Sequence, residues 1–289
     1  MAIRALVVGG TNGIGYAMAC RIAAAAAAEA SPPSVIISGR TKPETLPHPN
    51  MEFRRLDATS MREIKQYTDA FKAAAPGQQL DMLVMTQGIF TLAGRTETPE
   101  GIDRKMALHY YGKQLLLREL LPALREDARV VIVLDGKLGS PEKLLWEDLD
   151  LKTHYGLIRA AHNCISMNDA MVQYHAAQQR RLGTGRRHFV HAFPGGVNTN
   201  LAAKLPWYLK PVAWVLGPLL TVSPDTCAQY MLDGTANCTA AAESEGRFWS
   251  NIDQKGKPVA NKAVWSEEQM EKVANHTWGL IDGALESSA

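Results

Sequence analysis

The 289-residue sequence predicts an α/β protein built on one doubly wound parallel sheet with helices on both faces. Three observations predict it. Short apolar, β-branched runs alternate with segments of helical period. The first such run breaks into Gly9-Gly10-Thr11-Asn12-Gly13-Ile14-Gly15 and passes straight into a helix pattern. A later run, residues 130–134, is apolar without alternation, as a strand covered on both faces must be.

Taken in order, residues 3–8 read as the first strand and residues 16–30 as the first helix, which contains six consecutive alanines at 23–28. Alanine has the highest helix propensity, and its small side chain lets a helix lie close on a sheet. Residues 35–38, 51–56 and 80–86 read as strands, with a helix over 61–74 between the last two. Residues 100–124 predict one long helix or a bent pair, with Leu115, Leu116, Leu120 and Leu121 on an apolar face. A strand over 130–134, a long helix over 155–180, strands over 189–193 and 247–250, and a closing helix over 266–285 complete the pattern. No repeat and no linker divides it, so residues 1–289 are expected to form a single domain. Residues 201–222, rich in leucine, tryptophan and proline, read as a small apolar cap over the sheet.

Composition excludes several classes. Thirty-one basic against 29 acidic residues leave a net charge of +2, too little to indicate a nucleic-acid partner. Cys20, Cys164, Cys227 and Cys238 form no CxxC pair and have no histidine at metal spacing, so no metal is expected and the thiols read as reduced. No signal-peptide pattern and no apolar run of spanning length is present, which predicts a cytoplasmic protein without a transmembrane segment. Surface contact with a membrane through 201–222 stays open.

The glycine loop is the strongest functional signal. A strand, a glycine turn and a helix together aim backbone N–H groups and the positive end of the helix at a diphosphate. Gly9, Gly13 and Gly15 carry the spacing, and Thr11, Asn12 and Ile14 complete the loop. The bland alternative is a tight structural turn. The second strand ends at Ser38-Gly39-Arg40, with no acidic residue to take the ribose hydroxyls of NAD. Arginine pairs well with a 2′-phosphate, so NADP(H) is the expected cofactor and Arg40 its discriminating contact.

These residues resemble the short-chain dehydrogenase/reductase family, whose fold is Rossmann-like, over nearly the whole chain. Gly9, Gly13 and Gly15 match its nucleotide loop, and Asp57 matches the acidic residue that holds adenine. Gln87 and Gly88 fall in its turn after the fourth strand. Pro194, Gly195, Val197 and Thr199 match its Pro-Gly…Thr signature near the nicotinamide. Residues 95–103 are similar to the retinol-dehydrogenase-like branch, and residues 86–112 and 191–201 to fungal members that accompany secondary-metabolite pathways. The resemblance implies an Asn-Ser-Tyr-Lys tetrad. Here Tyr155 would be the proton donor, Arg159 would stand for the lysine, His109 for the asparagine, and Asp135 or Gly136 for the serine, as the alignment is anchored on the preceding strand or on Gly139. With Tyr155 and Arg159 four residues apart on one helix face, the guanidinium would lower the phenol pKa. The resemblance also implies a homodimer through helices corresponding to residues 103–124 and 155–180.

Three readings follow from this degenerate tetrad. The first is an NADPH-dependent ketoreductase of a bulky hydrophobic carbonyl compound in secondary metabolism. The second is a non-redox enzyme on the same scaffold, such as a cyclase, isomerase or dehydratase. The third is a catalytically silent NADP(H)-binding protein.

Overall fold

The computed structural model describes residues 3–25, 34–74, 77–198 and 221–287. Seven strands form one sheet: β1 (Arg4–Val8), β2 (Ser34–Gly39), β3 (Met51–Arg55), β4 (Leu80–Met85), β5 (Leu124–Val133), β6 (His188–Ala192) and β7 (Trp249–Ile252). Their order is β3-β2-β1-β4-β5-β6-β7, and every pairing is parallel. The predicted doubly wound sheet is therefore the observed one. The chain reverses its direction of travel across the sheet between β1 and β4, and such a switch point leaves a crevice at the carboxyl ends of the strands.

Strand alternation divides the core in two. Leu6 and Val8 of β1 face one side, and Ala5 and Val7 the other. On the second side lie α1 (Gly13–Ala24) and α6 (Pro224–Ser244), which contribute Met18, Ala19, Cys227, Ala228 and Met231. Arg21 of α1 and Asp225 of α6 join them by an exposed ion pair of 2.6 Å. On the first side lie α2 (Met61–Ala74), α4 (Gly112–Leu120), α5 (Leu157–Leu182) and α7 (Glu267–Glu286). Helix α2 buries Met61, Ile64, Thr68 and Phe71, the three-and-four spacing of one helix face. Helix α7 starts at a reciprocal capping box between Ser266 and Gln269.

The segment expected as one helix over 100–124 is bent. Asp103 caps its start, accepting from the N–H groups of Lys105 and Met106 at 3.0 and 3.1 Å. The short α3 (Arg104–Met106) then widens into a π turn over Ala107–Tyr111 before α4 begins. A π turn of this kind frequently marks a functional site.

Beyond shifts of a few residues at other element ends, three differences from the sequence reading stand out. Strand β5 begins at Leu124, six residues early. Helix α6 was not expected at all. Helix α5 begins at Leu157, after an N-cap at Gly156. The cause of the late start is Asp148, whose carboxylate accepts from the backbone N–H groups of Lys152, Thr153 and His154 at 2.7–3.0 Å. That turn holds the preceding chain out of helical register. Helix α5 ends at Gly183, which takes the left-handed conformation with φ +63°.

Helix α7 lies across α4 and α5. Tyr110 pairs with Thr277 at 2.5 Å, Tyr111 with His276 at 3.0 Å, and Arg181 with Glu267 at 2.9 Å. The helices through which a homodimer was expected thus carry the chain's own α7. Among the described residues no helix is long and apolar enough to cross a membrane, and no cluster of ligating side chains could hold a metal ion. Thr199 and residues 201–220 of the expected cap lie outside the described residues.

Candidate functional site

A cleft of about 530 Å³ crosses the carboxyl ends of the strands. Its walls run from Gly39 and Arg40 after β2, through Gly9 after β1 and Gln87 after β4, to Val133 of β5 and Pro194 after β6. Those five adjacent strands, at about 4.8 Å spacing, span roughly 19 Å, the reach of an extended dinucleotide.

The glycine loop forms one wall, with Thr11, Asn12, Gly13, Ile14 and Gly15 all lining the cleft. Gly9 has φ +81°, and a side chain there would overlap the backbone of Gln87. A Cβ on Gly15 would overlap Thr86 Oγ1 and the Gly9 carbonyl. Glycine is required at both positions because β1, β4 and α1 converge there. Asn12 caps α1, its side chain accepting from Gly13 N–H at 2.7 Å. No acidic residue sits in the first turn of α1, so its positive end is left for an anion.

Two further observations indicate a polar ligand. Gln87 is buried, yet neither its Nε2 nor its Oε1 has a partner. Such an orphaned amide is costly unless something else completes it. At the other end, Arg40 and Arg104 line the cleft beside Asp57 and Thr59. Burial pushes the Asp57 carboxyl up. Hydrogen bonds from Thr59 and the charges of Arg40 and Arg104 outweigh it and leave the carboxyl below its ordinary value. The residues therefore fit a dinucleotide: free helix-end N–H groups at the centre, two guanidinium groups at one end and an unsatisfied amide between.

His109 lines the opposite part of the cleft, on the π turn. Its Nε2 accepts from Ile89 N–H at 2.8 Å. Its carbonyl accepts from Asn168 Nδ2 of α5 at 3.0 Å, and Asn168 Oδ1 accepts from Gln114 of α4 at 3.0 Å. Burial, followed by the charge of Lys113, pushes the imidazole down to about 3. Lys113 lies one turn further along, wholly buried, and its Nζ donates to the Val133 carbonyl at 2.8 Å. Burial pushes that amine down to about 7.

The expected pairing of Tyr155 with Arg159 is overturned. Tyr155 precedes the N-cap of α5, so the two residues do not share a helix face. Neither lines the cleft. The Tyr155 hydroxyl is shielded from solvent with the Asp103 carboxylate facing it, and its ring sits 5.4 Å from the Lys105 ammonium. Burial, with the charge of Asp103, pushes the phenol up to about 12, against the expected lowering. Arg159 is exposed and donates to the His154 carbonyl at 3.2 Å. Asp135 also lies off the cleft wall. Its Oδ1 accepts from the N–H groups of Lys137 and Leu138, which is a turn-forming role. Gly195 and Val197 follow Pro194 but do not line the cleft.

Behind that turn lies a buried polar cluster. Asp169 of α5 holds His191 Nδ1 at 2.5 Å, Asn251 Nδ2 at 2.7 Å and the Lys262 ammonium. Lys262 and Asn251 also donate to the carbonyls of Gly139 and Gly136. The cluster thus fixes the turn after β5.

Sequence reasoning missed Arg104, Lys113 and Asn168. Lys113 left one signal: a cation four residues after His109, ahead of an apolar run.

Comparison with known proteins accords with this geometry. A family model described as short chain dehydrogenase matches residues 4–136. An oxidoreductase of Emericella nidulans is 32% identical over 210 residues, covering 69% of this chain and 60% of that protein's length. Human polyprenol dehydrogenase is 31% identical over 240 residues, covering 76% of this chain and 68% of the human protein. Among solved structures, an NADPH-bound carbonyl reductase from chicken fatty liver superimposes with a TM-score of 0.61 at 18% identity, covering 90% of this chain and 100% of that one. That likeness is one of fold.

Proposed function

The chain belongs to the short-chain dehydrogenase family, and from that premise we propose that it is an NADPH-dependent oxidoreductase reducing a bulky, apolar carbonyl compound. The observation that carries the reading is one continuous cleft with two arginines at one end and a polar histidine site at the other. The glycine loop and the α1 terminus would hold the diphosphate, Gln87 would complete its hydrogen bonds on the dinucleotide, and Arg40 with Arg104 would take a 2′-phosphate. Bound there in reduced form, the nicotinamide supplies a hydride. Ile89, Phe90 and Leu108 line the cleft near His109 and give the substrate end its apolar character. A relative named for polyprenol supports a bulky substrate, fungal relatives named as oxidoreductases support redox chemistry, and a role in secondary metabolism belongs to the same proposal. Sparse, unpaired cysteines support the reducing cytoplasm as the working compartment.

The position of Tyr155 and Arg159 off the cleft favours a second reading, a dinucleotide-binding protein without hydride transfer, or with non-redox chemistry. A titration of intrinsic fluorescence with NADPH and NADH, followed by absorbance at 340 nm with bulky aryl and polycyclic ketones, separates the two. The reductase reading expects saturable NADPH binding and turnover. In Arg40→Asp, NADPH affinity should fall about 100-fold and NADH affinity should hardly change, the loss of a charge-assisted pair. Equal affinity of wild type for both dinucleotides refutes the NADPH assignment. Binding without turnover selects the second reading.

A further inference from the structure

The group expected to touch the substrate oxygen, Tyr155, does not reach the cleft, yet a polar side chain does. His109 is fixed on both sides. Asn168 grips its carbonyl from α5, and Gly88, lacking a side chain, lets the imidazole edge approach the turn after β4. There Ile89 N–H donates to Nε2 at 2.8 Å. A ring nitrogen that accepts from a backbone N–H cannot carry the proton, so the proton of the neutral ring is on Nδ1. Nδ1 has no partner among the described residues, and it is not among the shielded polar atoms of the interior. Three groups thus hold the ring: a backbone donor that sets the tautomer, a π turn that sets the angle, and an amide clamp from α5.

We propose that His109 donates a hydrogen bond from Nδ1–H to the reacting oxygen of the substrate. The inference rests on the reductase reading and gives it the donor that Tyr155 does not supply. A neutral imidazole suits this role because it adds a fixed dipole where negative charge develops on oxygen. The imidazole neither gains nor loses a proton; the oxygen takes its final proton from water. Burial and the charges of Lys113 and Lys105 disfavour the imidazolium, which keeps the ring in the donor form across the neutral range. Asn168 is a positioning residue, acting through the His109 backbone.

Long-range proton–nitrogen NMR correlation of the ligand-free protein, with the ring assigned by comparison with His109→Phe, reads the tautomer directly. The expected result is a protonated Nδ1 and an unprotonated Nε2, unchanged from pH 5 to 8. A protonated Nε2, or an imidazolium in that range, overturns the proposal. In turnover, His109→Phe should lower kcat about 10²- to 10³-fold, the cost of one oxyanion donor, with NADPH affinity unchanged. His109→Asn, whose amide can present a donor in the place of Nδ1, should recover at least about a tenth of that loss. Wild-type turnover in His109→Phe overturns the role while leaving the cofactor reading intact. Failure of the wild type to bind NADPH overturns the proposed function itself, and the substrate role with it.

Discussion

Replacing Lys113 by methionine should stabilise the protein, and by more at pH 6 than at pH 9. Lys113 is wholly buried, and among the described residues no carboxylate faces it and its one hydrogen bond runs to the Val133 carbonyl. Burial lowers its amine from the ordinary lysine value of 10.5 to about 7. A lowered lysine is a cost: between those two values the unfolded chain holds a proton that the folded chain does not, so stability rises with pH across that window. Below pH 7 the full displacement applies, and 3–4 pH units at about 1.4 kcal/mol each amount to about 5 kcal/mol. At pH 9 the same linkage leaves about 2 kcal/mol, because the folded amine is already neutral and the unfolded one, still protonated, lies only about 1.5 pH units below its own pKa. Methionine removes this cost and leaves the Val133 carbonyl without its donor, which returns about 1–3 kcal/mol at either pH. Urea unfolding of wild type and Lys113→Met should therefore show a net gain of about 2–4 kcal/mol at pH 6 that shrinks by about 3 kcal/mol at pH 9. Parallel stability–pH profiles for the two proteins would refute the reasoning, since only a buried, displaced amine makes them diverge.

Gln87→Leu should raise the stability of the ligand-free protein by about 1 kcal/mol in thermal unfolding, because two orphaned polar atoms leave the interior. The same change should weaken NADPH binding about tenfold, and a loss of stability would show that the amide has a partner within the fold. Asp169→Ala should destabilise by about 3–5 kcal/mol in urea, because Lys262 stays buried without its counter-charge and two further donors lose their acceptor. A cost below about 1 kcal/mol would mean that the cluster opens to water.

The sheet was legible because its signals are local. Unbroken apolar runs such as residues 130–133 and the glycine turn at 9–15 have one reading each, and parallel order follows from strand–helix alternation. Helix α6 was not legible. Its buried face holds cysteine, alanine, methionine, glycine and threonine rather than leucine, because Gly234 must pass against the backbone of Gly256. Small residues that let backbones meet leave little hydrophobic period to read.

The sequence by itself determined which residues line one end of the cleft, since Gly9, Gly13, Gly15, Arg40 and Asp57 stand at fixed distances from strand ends. It did not determine the chemical end. A tyrosine followed four residues later by a cation has the expected spacing, but spacing becomes proximity only if both residues are helical. Asp148 decides that they are not, by capturing three backbone N–H groups just before α5. What lies at that end of the cleft depends on contacts between segments distant in the chain: Ile89 with His109, Asn168 with the His109 carbonyl, and Lys113 with Val133. These contacts exist only once α4, α5 and β5 pack together. The sequence had singled out His109 along with Tyr155; that His109 and not Tyr155 lines the cleft was decided by the tertiary structure.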